Sequence, residues 1–223
     1  MFDDLKALFH ENLVALYLRY RSVLGERKIG LSRDLQAATA ACLALFHFRE
    51  HLPRSHAISR HQLVERCPDY ALVGDVANVT KHAQLTKYES KVARAQCISE
   101  VLFITEFSDD EGIYTDARKA VVVSLKDGTE RELFEIVTNV INFWGSHLAS
   151  LGVLESFTPF SLPERPGSQW LQRSQIGGLD IESIEGVRFK MQIRLQRFDN
   201  LKGYSVPVDL SGSDVAFRIY KQS

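Results

Sequence analysis

Residues 74–87, GDVANVTKHAQLTK, set a carboxylate, an amide, an ammonium and an imidazole within about two helical turns. On a helix advancing about 100° per residue, Asp75, Asn78 and His82 share one face and border the apolar stripe of Leu72, Val76, Val79 and Ala83. Imidazole titrates near neutrality and a neighbour fixes its tautomer, so His82 beside Asn78 and Asp75 has the parts for acid–base work. Lys81 projects about 100° round the helix from His82 and brings a cation from the side. The same residues equally suit a helix that satisfies loop or backbone groups at the edge of its packing face.

A second group lies in FHFREHLPRSH, where His47 and His51 stand four apart with Glu50 between them and His56 beyond. Such a pair binds Zn²⁺ when a third ligand arrives, and Glu50 or His82 are the candidates. The H-E-x-x-H order is absent. The competing reading makes His47 a hydrogen-bonded interior residue and His51 a solvated one favoured by the helix dipole. A third group, Arg188, Lys190 and Arg194 with Arg197 and Lys202, lines the polar side of an alternating segment. It suits phosphates or a solvated strand face whose charge discourages edge pairing; no aromatic is interleaved on the polar face, so a base-stacking platform is not expected. His147 falls on the apolar side of its helix and reads as a core or interface residue. There is no G-x-S-x-G, G-x-G-x-x-G or Walker-type loop, and no cofactor is implied.

The elements that must hold these groups follow from apolar spacing. Leu5, Leu8, Phe9, Leu13, Leu16, Tyr17 and Tyr20 predict a helix from Phe2 to about Leu24. Ser32 has the residue type to cap a second helix, whose AATAACLALFHF is apolar on nearly every side and belongs inside a bundle. Pro53 ends it, a short helix runs from about Ser59 to Glu65, and Pro68 opens the helix holding Asp75 to His82. Then CISEVLFITEF and RKAVVVSL, separated by SDDEG, predict a β-hairpin. Thr129 and Glu132 have capping-box spacing ahead of a long helix over 130–151. Residues 153–180, rich in Pro and Gly, form an irregular crossing; VRFKMQIRLQ over 187–196 alternates strictly, and turns at DNLKG and SGSD predict further short strands to 221. The fold class is α+β: a helical bundle over 1–92, then a subdomain over 93–223 of hairpin, long helix and C-terminal antiparallel strands.

Composition bounds the function. The 223 residues are 45% apolar, enough for a substantial core, and a net charge of -1 gives bulk electrostatics no preference for nucleic acid or membrane. The acidic start MFDDLKALFHENL lacks the features of a secretory signal, and no apolar run reaches the roughly 20 residues of a membrane span. Cys42, Cys67 and Cys97 are odd in number with no C-x-x-C, so no disulfide framework and a cytoplasmic setting are expected.

Asn78-x-x-x-His82 at the end of an all-helical region resembles the HEPN superfamily of small helical ribonucleases, over about residues 1–90. That resemblance implies metal-independent attack of a ribose 2′-hydroxyl on the adjacent phosphate, with His82 moving the proton and Asn78 orienting the phosphate or the ring. It also implies a site built at a homodimer interface, with RNA or a nucleotide as partner. Where the family places Arg, this chain has Ala77, which leaves Lys81 as the nearest cation. AxxAxLALFHFREHL together with DVANVTKHAQL is similar to a group of bacterial proteins with a D-x-x-N-x-x-K-H segment, which implies that His47 meets Asp75, Asn78, Lys81 and His82 in one groove. The alternatives are a non-enzymatic module that binds a protein partner, with these polar groups bracing the bundle, and a His-based metal-binding protein.

Overall fold

Burial at Phe9, Leu13, Tyr17 and Tyr20, spaced by four, four and three, turns one stripe of the first helical run inwards. The run comprises α1 (Leu5–Leu8), a π-helical stretch (Phe9–Val14) and α2 (Ala15–Gly25). The computed structural model describes residues 4–26, 28–81, 90–110, 112–162, 180–183, 189–199, 201–202 and 204–209. After β1 (Lys28–Gly30) comes α3 (Arg33–His47), whose Ala37, Ala38, Ala41, Cys42, Leu45 and Phe46 are all buried.

Ser32 does not cap α3 with its side chain. It and Leu31 adopt left-handed backbone, with φ of 50° and 55°, and the half-buried first-turn amide of Leu35 is met instead by Glu100 Oε1 at 3.1 Å. Two 3₁₀ turns (Phe48–His51 and Arg54–His56) lead to α4 (Arg60–Arg66), which Ser59 and Gln62 open with a reciprocal capping box. Next is α5 (Asp69–Lys81). Small residues let it lie close to α3: a Cβ on Gly74 would stand 2.6 Å from the Phe46 ring.

The hairpin is β2 (Ile98–Asp109) and β3 (Gly112–Ser124), paired antiparallel, followed by β4 (Glu130–Glu132) and α6 (Leu133–Ser150). Thr129 and Glu132 make no capping box. Thr129 bonds to Asp127 across the turn, and Glu132 pairs bidentately with Arg118, so strand pairing claims the residues that the spacing assigns to a helix start. β5 (Asp180–Ser183) pairs with β1 in parallel. β6 (Phe189–Asp199) and β7 (Tyr204–Pro207) pair antiparallel, and β6 also lies parallel to β2, giving the order β4-β3-β2-β6-β7. The strand expected beyond SGSD lies outside the described residues.

The fold is α+β, with most helices ahead of the five-stranded sheet and α6 between its strands β4 and β6. One face of the sheet, through Ile98, Val121 and Val123, joins the core built by α2, α3, α5 and α6. The central helix α6 contributes Trp144, Ile136, Val137, Val140 and Ile141, and its Asn142 holds the following loop by exchanging two hydrogen bonds with the Phe160 backbone. Among the described residues no helix is long and apolar enough to cross a membrane.

Candidate functional site at the ends of α3 and α5

The last turn of α3 leaves carbonyl oxygens without helical partners. Trp144 Nε1–H donates to Leu45 O at 3.2 Å, and the Tyr70 hydroxyl donates to Phe46 O at 2.7 Å. Both donors are buried, so they fix where α3 stops and bring His47 out of the core at a half-buried rim. There His47 Nδ1 lies 3.0 Å from Glu50 Oε1, and Nε2 lies 2.9 Å from Lys81 Nζ at the end of α5.

The donor rules assign the protons. An ammonium only donates and a carboxylate only accepts, so the imidazole donates its Nδ1–H to Glu50 and accepts a hydrogen bond from Lys81 at Nε2. The result is an ordered chain Glu50, His47, Lys81, in which the exposed ammonium keeps two N–H groups for another acceptor.

Asp75 belongs to the interior. It is 1% exposed, and its Oδ2 accepts from the Lys91 amide at 2.7 Å and the Val92 amide at 3.4 Å, while Oδ1 meets no partner among the described residues. Burial pushes its carboxyl above the usual range, against the opposing pull of the Lys91 amide, the Ser90 hydroxyl, the Val92 amide and the Arg60 charge. It acts as a clip between α5 and the chain entering the hairpin. Asn78 lies between Asp75 and Lys81 around the helix, half-buried, with no hydrogen bond from its amide to another described residue. His82 lies outside the described residues.

The implied meeting of the His47 segment with the α5 segment is therefore seen at Lys81, while Asp75 is turned to the other side. His51 ends the 3₁₀ turn, exposed, and shares no α-helical face with His47, which ends α3. Among the described residues no three His, Cys, Asp or Glu side chains cluster to hold a metal ion. All three cysteines are free, with Cys42 and Cys67 buried.

On the sheet face away from the helices, Arg188 lies outside the described residues and Arg194 is exposed. An aromatic does reach this basic face, supplied by the neighbouring strand. Arg194 and Arg118 place their guanidinium groups 4.6 Å and 4.4 Å from the Phe103 ring centroid. Phe103 is itself buried beneath them, so the arrangement is a cation–π stack and not an open platform.

The spacing argument did not single out Lys119 and Asp34. Lys119 Nζ, buried, donates to Val23 O at 2.7 Å, Lys28 O at 2.7 Å and Asp34 Oδ1 at 3.0 Å. The ammonium thus ties the end of α2, β1 and the start of α3 to the sheet. The signal was a lysine at the head of the apolar run AVVV. Burial raises the carboxyls of Asp34 and Glu100, and the Lys119 ammonium pulls both down. Comparison with protein-family models, with curated proteins and with solved structures finds no match for this chain.

Proposed function

We propose that the chain binds a phosphodiester, RNA being the substrate class, at the surface where α3 and α5 end, and cleaves it without a metal as HEPN-like ribonucleases do. The observation that carries this reading is the Lys81 to His47 contact of 2.9 Å, itself backed by Glu50 at 3.0 Å. An oriented, exposed ammonium with two N–H groups uncommitted to described residues is suited to a phosphate oxygen and to the charge that develops there. His82, next in the chain, takes the proton of the 2′-hydroxyl. The 2′-oxygen then bonds to phosphorus, the bond to the 5′-oxygen breaks and that oxygen takes a proton from water while His82 returns its own to solvent, leaving a cyclic phosphate and a free 5′-hydroxyl. Asn78, with its amide uncommitted to described groups, orients the phosphate. A second copy of the chain is the partner that would complete such a site.

The test is incubation of purified protein with total RNA in excess EDTA, alongside His82→Ala, Lys81→Ala and His47→Ala. Cleavage by the wild type that falls about 10²-fold or more in His82→Ala is expected for loss of a general base. Light scattering reports whether the active species is a dimer. Absence of cleavage and of RNA binding by the wild type would overturn the reading.

The second reading, a non-enzymatic interaction module, is favoured by Asp75, whose carboxylate is spent on backbone amides. Under it, the Lys81→Ala and His47→Ala proteins alter stability and leave no RNA phenotype to measure.

A further inference from the structure

Lys81, at the exposed end of α5, donates to an imidazole, His47 Nε2 at 2.9 Å, and its side chain makes no other polar contact among the described residues. Behind it, His47 Nδ1 lies 3.0 Å from Glu50 Oε1. Other exposed lysines have carboxylates instead: Lys6 faces Glu155 at 3.7 Å, and Lys202 faces Asp199 at 3.6 Å. Imidazole is on the order of 2 pKa units more basic than a carboxylate, so it can take a proton from a reacting amine where a carboxylate only holds the ammonium charged. Carboxylate, imidazole and nucleophilic atom in that order are the arrangement of the hydrolase triads, with an amine here in place of the hydroxyl or thiol.

We propose that Lys81 is a site of acylation, accepting an acyl group from a thioester with His47 as the base and Glu50 as its positioning residue. The ammonium passes the proton of its existing hydrogen bond to Nε2, which leaves a neutral amine beside an imidazolium whose charge Glu50 stabilises. The amine nitrogen attacks the carbonyl carbon, a C–N bond forms, the C–S bond breaks, and the imidazolium protonates the departing sulfur. His47, neutral again, takes the second proton from the nitrogen and releases it to solvent, so the products are an amide, a thiol and one proton. The donor class follows from exposure. Lys81 and Glu50 are exposed and His47 is half-buried, and a wetted rim gives little help to a developing oxyanion. The acyl group must therefore arrive activated, and a thiolate leaves readily where an alkoxide does not. Acylation also removes the charge that phosphate binding at this surface requires; that consequence rests on the ribonuclease reading, and the acylation itself does not.

The test incubates the full chain with acetyl coenzyme A and follows acetylation of each lysine by peptide mass spectrometry. Lys6, Lys126 and Lys202 are exposed and serve as controls within the same molecule. Lys81 is expected to react about 10²-fold faster than they do, the lower end of what a positioned base contributes. His47→Ala should bring Lys81 down to the control rate while the controls keep theirs, a change that altered folding would not confine to one lysine. Glu50→Gln should slow Lys81 about tenfold, equivalent to one pKa unit of imidazolium stabilisation, and Glu50→Asp, which keeps the carboxylate, should recover part of the loss. Lys81 reacting no faster than the controls, or keeping its advantage in His47→Ala, overturns the proposal; an unchanged rate in Glu50→Gln overturns the positioning role. Fast acetylation of Lys81 in a protein that neither binds nor cleaves RNA supports the acylation and removes the ribonuclease reading alone.

Discussion

Lys81 Nζ lies 2.9 Å from His47 Nε2, and this contact joins the last residue of α3 to the last residue of α5. It sets the imidazole tautomer, because Nε2 must accept while Nδ1 donates to Glu50. Long-range ¹⁵N–¹H spectra at pH 8 should therefore show His47 as the Nδ1–H form. Lys81→Ala and Glu50→Gln should each weaken that preference, and the double variant should abolish it. A wild-type spectrum of the Nε2–H form would remove the proposed chain.

Asp75 gives a pH prediction whose sign follows from burial. Its folded carboxyl titrates above the unfolded value, so the native state binds more protons in that window. The stability it contributes is full below the unfolded pKa and is lost as pH rises through the folded pKa. Asp75→Asn deletes this dependence and keeps an oxygen for the Lys91 amide. Urea unfolding of both proteins at pH 7 and pH 4 should show the wild type gaining on the variant at the lower pH; a constant difference would show that the carboxyl does not titrate as described.

Lys119 and Asp34 form a buried pair in which the ammonium also serves two carbonyls. Lys119→Met leaves a carboxylate and two backbone oxygens unmet, and should destabilise the fold by about 3–5 kcal/mol in urea melts. Adding Asp34→Leu should restore part of the loss, because the uncompensated charge goes while the carbonyls remain unpaired. Equal stability of the single and double variants would argue against charge as the cause.

Gly145 sits in the middle of α6, where glycine is otherwise unfavourable. A Cβ there would stand 2.4 Å from the Phe157 ring, so the helix gives up a side chain to let the loop pack. Gly145→Ala should cost about 1–3 kcal/mol despite the better helix propensity. Combined with Phe157→Ala, the same substitution should become neutral or stabilising, measured as the difference in Tm between each pair.

Local pattern made much of this legible. The four- and three-residue spacing of Phe9, Leu13, Tyr17 and Tyr20 marks a helix, and the alternation from Phe189 to Leu195 marks a strand, because burial on one side of a regular element imposes its own period. His147 reads from its neighbours as a core or interface residue, and it is buried. Ser32 and Thr129 misled for a shared reason. Capping depends on backbone conformation and on what else claims the side chain, and here a left-handed turn and a strand pair intervene. The site was half legible. His47 and the Asp75 to His82 segment stood out by type and spacing, but which of those side chains faces His47 did not.

The sequence by itself determined the order of the helices, the hairpin and the alternating strand after them, the apolar faces and the residue types available for chemistry, since these depend on neighbours within a few positions; the short strands β1, β4 and β5 carry no such local mark. Tertiary structure alone decided that β6 runs parallel to β2, that Glu100 closes the start of α3, that Lys119 reaches Asp34, and that Lys81 and not Asp75 meets His47. Each of these joins residues 34 or more positions apart, and a local period carries no information about which distant group will satisfy a buried charge or an open helix end.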